Sequence, residues 1–76
     1  MEIVYINDYK IEYLKEAKHI IIFNNDNNVI SYNIDNNDLY DPDNIVFNWQ
    51  VITREDNKKI LWVQYKDNDS IKVLFE

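Results

Sequence analysis

The chain contains no glycine and a single proline, and this composition constrains how its backbone can reverse direction. Left-handed backbone conformations, with φ > 0, are open to glycine and, less readily, to asparagine and aspartate. We therefore expect each tight turn that needs such a conformation to place Asn or Asp there. The sequence supplies these residues in clusters between apolar runs, at 7–8, 24–28, 35–38, 55–57 and 67–70. Each cluster predicts a turn.

The segments between these clusters have the patterns of β-strands. Residues 9–14 place Tyr9, Ile11 and Tyr13 on one face, with the period of two that a half-buried strand requires. The other predicted strands are rich in β-branched and aromatic residues and span 2–6, 18–24, 28–34, 45–53, 59–65 and 70–75. Short turns join antiparallel neighbours. The sequence therefore predicts an all-β fold, a small antiparallel meander, barrel or sandwich of six to seven short strands, in one domain covering 1–76.

A second interpretation of the N-terminal region is an α+β fold, a twisted antiparallel sheet with one short helix near 8–18. Asp8 could cap such a helix. Tyr9, Tyr13 and Ala17 follow at the i, i+4 and i+8 positions of one helical face. The two patterns compete over the same residues, and the strand is the preferred interpretation.

The aromatic residues of the later strands are expected in the core. Ile45, Phe47, Trp49 and Val51 alternate with polar residues in the predicted strand 45–53, and Trp62 lies among aliphatic residues. Large apolar rings contribute most of the burial in a small core.

The sequence offers little for catalysis or cofactor binding. There is no cysteine and one histidine, His19, so neither a disulfide nor a zinc site with the preferred ligands can be built. The aspartates of 35–43 lack the glycine and the closing glutamate of a calcium-binding loop. Without glycine there is no phosphate-binding loop, and no serine lies in a nucleophile motif. We expect a protein that is not an enzyme and that binds no metal or cofactor.

No apolar run approaches the ~20 residues of a membrane-spanning helix. The first residues carry no basic stretch of the kind that begins a signal peptide. A cytoplasmic protein without a membrane segment is therefore expected, in the host cytoplasm if a phage encodes it.

The negative charge is concentrated in the middle of the chain. The formal net charge is −6. Residues 19–53 carry five aspartates and no lysine or arginine, so that segment alone has a charge of −5. Direct binding to nucleic acid or to an anionic membrane requires cationic residues. A basic protein surface is the partner that this charge favours.

The segment 34–44 is the candidate partner-binding segment. Pro42 limits its freedom, so we expect a loop. Two interpretations stay open: a solvated connector that Leu39 and Tyr40 pin to the core, which is preferred, or a stiffened acidic loop that presents a tyrosine among carboxylates. The candidate partner-binding residues are those of this loop together with one aspartate of the preceding turn, namely Asp26, Asp35, Asp38, Tyr40, Asp41 and Asp43.

Two functions follow as hypotheses. In the first, the carboxylates imitate a nucleic-acid backbone and the protein inhibits a basic partner by occupying its nucleic-acid channel. A phage protein that blocks a host defence nuclease, as anti-CRISPR proteins do, or an immunity protein that neutralises a basic toxin would fit this description. In the second, the domain is an assembly module that forms homo-oligomers through its strand edges, and the acidic loop only provides solubility.

Overall fold

The computed structural model describes the backbone of residues 2–25 and 27–75 and the side chains of residues 5–25 and 27–75. The described residues form strands and turns and no helix. This confirms the all-β fold class. It also shows that the alternative with a helix near 8–18 is wrong, because this region is a strand followed by the turn 15–18.

Eight strands make up two antiparallel sheets. In chain order they are β1 (Glu2–Ile6), β2 (Tyr9–Leu14), β3 (His19–Phe23), β4 (Val29–Asn33), β5 (Asp38–Tyr40), β6 (Val46–Thr53), β7 (Lys59–Tyr65) and β8 (Ser70–Phe75). The first five form one sheet in the order β1-β2-β3-β4-β5, and the last three form a second sheet in the order β6-β7-β8. Within each sheet, every strand pairs with its neighbours in the sequence, as short turns between antiparallel strands dictate.

The chain divides into two units, Met1–Asp43 and Asn44–Glu76, each built around one of the sheets. We call them unit 1 and unit 2. That residues 1–76 form a single folding domain stays a prediction.

Unit 1 has one buried and one solvated sheet face. Ile11, Ile22 and Ile30 lie side by side across β2, β3 and β4 and are at most 2% exposed. Ile20 and Tyr32 form a second buried pair beside them. The alternate residues of the same strands are half-buried, and we call their side the open face of unit 1.

Unit 2 repeats this division. The buried face of its sheet is formed by alternate residues of the central and last strands: Leu61, Val63, Tyr65, Ile71, Val73 and Phe75. On the opposite face, Ile52, Ile60 and Leu74 lie side by side across the three strands. Ile52 and Leu74 are exposed. We call this side the open face of unit 2.

The turns follow from the absence of glycine. Among the described residues, the backbone has φ > 0 at Asn7, Asp8, Lys18, Asn27, Asn37, Asn44, Asn57 and Asn68. All but Lys18 are Asn or Asp, as predicted. Aspartate side chains also order two of the hairpin turns, since Asp56 Oδ1 accepts from Lys58 N and Asp67 Oδ1 accepts from Asp69 N.

Two details of the predicted strands were wrong. Residues 38–40 form strand β5, where a loop was expected. Phe47 was placed with Trp49 and Val51 on a core face, but its side chain is 69% exposed. An irregularity between Val46 and Asn48 places Phe47 outside the regular register with β7. Trp49 itself is half-buried, and so is Trp62 on the open face of unit 2.

Candidate functional site

Strand β5 places part of the acidic segment at the edge of the five-stranded sheet. It pairs only with β4, matching Ser31 with Tyr40, Tyr32 with Leu39 and Asn33 with Asp38. Because Tyr32 is buried, its neighbour Leu39 points to the same, buried side and attaches the strand to unit 1. The alternate residues Asp38 and Tyr40 therefore point to the open face.

Tyr40 is the one aromatic residue of the acidic segment, and 62% of its surface is accessible. The sequence left open whether Leu39 and Tyr40 together pin the segment to the core. Only Leu39 is half-buried. The tyrosine ring lies beside Ser31 on the open face, at the edge of the sheet.

The carboxylates follow one another along this edge. Asp35 lies in the turn between β4 and β5, Asp38 begins β5, and Asp43 follows it; all three are exposed. Asp41 is half-buried, and its Oδ1 accepts a hydrogen bond from Asp43 N at 3.2 Å. We call residues 35–43 the acidic edge. Asp26 lies outside the described residues, so its place relative to this edge stays a prediction.

Amide side chains, not carboxylates, hold the β4–β5 turn. Asn33 Oδ1 accepts from Asn36 N at 3.0 Å, and the hydroxyl of Tyr32 donates to Asn37 Oδ1 at 2.8 Å. Asn37 takes the left-handed conformation, with φ 51°. Burial raises the pKa of Tyr32, which keeps its hydroxyl protonated as a donor. The carboxylates of Asp35 and Asp38 therefore take no part in the hydrogen bonds that order the turn.

Few cations approach these carboxylates. Asp35, Asp38 and Asp43 form no ion pair with any residue that the structure describes. The backbone of Lys18 lies next to this edge, because its carbonyl accepts a hydrogen bond from Ile34 N at 2.9 Å and so joins the β2–β3 and β4–β5 turns. The acidic edge therefore has a lysine at one end, a position that the cation-free sequence segment does not reveal.

The lysine on the open face of unit 1 is already engaged. Lys10 Nζ lies 2.9 Å from Glu12 Oε2 and 5.2 Å from the centre of the Phe23 ring. The hydrogen bond to Glu12 and its negative charge raise the pKa of Lys10. This pair is local to β2 and leaves the carboxylates of the acidic edge unaffected.

The net charge of the protein belongs entirely to unit 1. Residues 1–43 carry three lysines against nine acidic residues, a net of −6, while residues 44–76 carry five basic and five acidic residues, a net of zero. The acidic edge is thus on a strongly anionic unit, and unit 2 is neutral.

The open face of unit 1 adds side chains that the sequence analysis did not single out. In the row of Tyr40 and Ser31 come Ile21 and Glu12, and Tyr5 on β1 is 71% exposed. The signal was present in β3, where residues 20–23 are apolar at consecutive positions and so supply both faces of the sheet.

Within the residues that the structure covers, no three His, Asp or Glu side chains are grouped as a metal site requires. No helix there is long and apolar enough to cross a bilayer. Comparison of the chain with protein-family models, with curated proteins and with solved structures finds no match in any of the three. Function is therefore inferred from the chemistry of the surface.

Proposed function

We propose that this protein is a small acidic binding protein that inhibits a basic, nucleic-acid-binding protein by covering its cationic surface with the acidic edge. The observation that carries the proposal is the succession of Asp35, Asp38 and Asp43, exposed and without ion pairs to described residues, along one sheet edge that also presents Tyr40. A defence nuclease of the host is the partner class, with the protein encoded by a phage as anti-CRISPR proteins are.

The charge distribution supports recognition by a cationic channel. Duplex DNA carries one negative charge per ~1.7 Å of its axis, and proteins that bind it present matching Lys and Arg side chains. A row of carboxylates offers the same groups an alternative set of acceptors. The net charge of −6 would attract such a surface over a distance set by the ionic strength and so raise the association rate.

The contact chemistry at the centre of the edge favours arginine. Asp38 and Tyr40 point to the same side of β5. An arginine guanidinium group can stack on the planar face of a tyrosine ring, and it can donate two parallel hydrogen bonds to a carboxylate. Tyrosine is also among the residues that contribute most to protein interfaces. Tyr40 would thus provide the apolar anchor that a purely electrostatic contact lacks.

The experiment is a pair of matched charge reversals. The native protein captures basic proteins from bacterial lysate, and a short DNA duplex then competes for the captured partner. We expect Asp38→Lys with Asp43→Lys to abolish capture, since each reversal sets like charges against the partner. Glu55→Lys with Asp69→Lys changes the net charge by the same amount on unit 2 and is expected to retain capture.

Three results would count against the proposal. Capture could survive the acidic-edge reversals, it could fail equally in the unit 2 control, or DNA could leave the captured partner bound. Unchanged far-UV circular dichroism of both variants establishes that they fold.

A further inference from the structure

We propose that two copies of this protein associate through strand β8, which pairs antiparallel with its own copy and joins the two β6-β7-β8 sheets into one. The inference concerns unit 2 and is independent of the proposed inhibitor function.

The direction of each main-chain group on β8 follows from the hairpin turns. Tyr65 N donates to the carbonyl of Asp69 directly opposite it, at 2.7 Å, so this pair is a hydrogen-bonded one. Hydrogen-bonded and non-hydrogen-bonded pairs alternate along an antiparallel ladder. Ile71 and Val73 therefore bond to β7, and Lys72 and Leu74 direct their N–H and C=O groups away from the sheet.

No described residue bonds to those outward groups of Lys72 and Leu74. The strand Ser70–Phe75 contains no proline and no acidic residue, and its pairing with β7 is regular from end to end. A regular apolar edge of this kind is what natural sheets usually protect against pairing. Among the described residues of β8, Lys72 is the only protection of that kind, since this stretch has no proline and no bulge and no described strand covers it.

The opposite edge of the same sheet is protected. By the same alternation, β6 directs the N–H of Trp49 outward, since Arg54 N bonds to the carbonyl of Lys58 opposite it. That N–H donates to Asn48 Oδ1 of its own strand at 2.9 Å. The irregularity at Val46–Asn48 also bends this edge out of register. Pairing between copies is thus directed to β8.

The edges of the other sheet are poorly suited to meeting their own copies. Unit 1 carries the entire net charge of −6, so two such units repel each other. Strand β5 is short and is followed by Pro42 within the acidic edge, features that discourage strand addition. A second copy of the neutral unit 2 meets β8 without this opposition, which is why the occupant we commit to is another copy of the chain.

Charge also selects the register. Outward-directed residues must pair with outward-directed residues, so Lys72 faces Ser70, Lys72 or Leu74 of the second copy. Facing Ser70 would pair only residues 70–72 of the two strands, whereas facing Leu74 pairs residues 71–75, so the choice lies between Lys72 and Leu74. The first arrangement sets like charges directly opposite each other, which is unfavourable. The second places Val73 of both copies at the two-fold axis and brings Leu74, 49% exposed in the single chain, beside the aliphatic stem of Lys72. The row Ile52, Ile60 and Leu74 then continues across the joint to Lys72 and Trp62 of the second copy.

The test uses proline variants followed by sedimentation equilibrium from micromolar to millimolar concentration. Lys72→Pro removes an outward N–H and no bond of the β7–β8 ladder, and proline is tolerated at such edge positions. Each dimer loses two main-chain hydrogen bonds, which should weaken association by roughly thirty-fold. Val51→Pro removes an outward N–H from β6 and is expected to leave association unchanged, with circular dichroism establishing that both variants fold.

The native chain has no cysteine, so one introduced cysteine can show the register of the two β8 strands by forming a disulfide between copies. Residues facing each other in a non-hydrogen-bonded pair have Cα atoms about 4.5 Å apart, within the range of a disulfide. Val73→Cys should therefore cross-link on oxidation. Ile71→Cys, whose copy would lie about 14 Å along the strand at ~3.4 Å per residue, should not.

Added salt should strengthen self-association, because two copies that each carry a net charge of −6 repel each other at long range and salt screens that repulsion. The inhibitor function predicts the opposite response for its basic partner, so the failure of one proposal is distinguishable from the failure of the other. A native chain that stays monomeric throughout, an association disrupted by Val51→Pro and not by Lys72→Pro, or cross-linking through Ile71→Cys alone would overturn the β8 interface.

Discussion

At the scale of single residues, Lys18 departs from the rule that governs the other turns. Its φ of 57° puts a long side chain in the left-handed conformation, which costs a residue other than Gly, Asn or Asp about 1 kcal/mol. Because asparagine tolerates this conformation better, we expect Lys18→Asn to raise the free energy of unfolding by about 0.5 kcal/mol. Denaturant unfolding in high salt measures it, with the loss of the lysine charge screened.

The matched control for that prediction is Ala17→Asn in the same turn, where φ is not positive. We expect no gain there. A Lys18→Asn protein that is no more stable than the native chain would show that the backbone at this turn is not strained.

At the scale of elements, the attachment of β5 depends on the bond from the hydroxyl of Tyr32 to Asn37 Oδ1. Tyr32→Phe should lower the free energy of unfolding by about 1 kcal/mol. Because burial raises the pKa of Tyr32, its contribution is complete below the unfolded value of about 10 and is lost as pH rises through the folded pKa. The difference between native and Tyr32→Phe proteins, measured by denaturant unfolding, should therefore shrink above about pH 10. A difference that grows with alkaline pH would contradict this account.

The same elements show what local sequence can and cannot predict. Strands with several alternating residues, such as β2 and β8, were predicted within a residue of their ends, because a period of two needs only the chain itself. Strand β5 offers one apolar residue, Leu39, and becomes a strand only by pairing with β4. Phe47 could not be assigned to a face, because an irregularity in pairing with β7 determines where its side chain points. The acidic edge was visible as charge, but Lys18 reaches it only through the fold.

For the molecule as a whole, the division into two units makes it important whether both unfold in a single transition. Unit 2 alone is smaller than the ~40 residues below which unstapled chains seldom fold. We therefore expect one unfolding transition for the whole chain. Both tryptophans, Trp49 and Trp62, lie in unit 2, so their fluorescence follows that unit, while far-UV circular dichroism follows both. The two denaturation curves should coincide; a fluorescence midpoint separated from the dichroism midpoint would mean that the units unfold independently.

If the acidic edge binds a basic protein, that binding weakens as salt screens the carboxylates. The dissociation constant of a captured partner is measured against sodium chloride concentration for the native protein, for Asp38→Lys with Asp43→Lys, and for Glu55→Lys with Asp69→Lys. We predict steep weakening with salt for the native and unit 2 variants and loss of binding in the acidic-edge variant. Binding that ignores salt, or that persists after reversal of Asp38 and Asp43, would contradict the account.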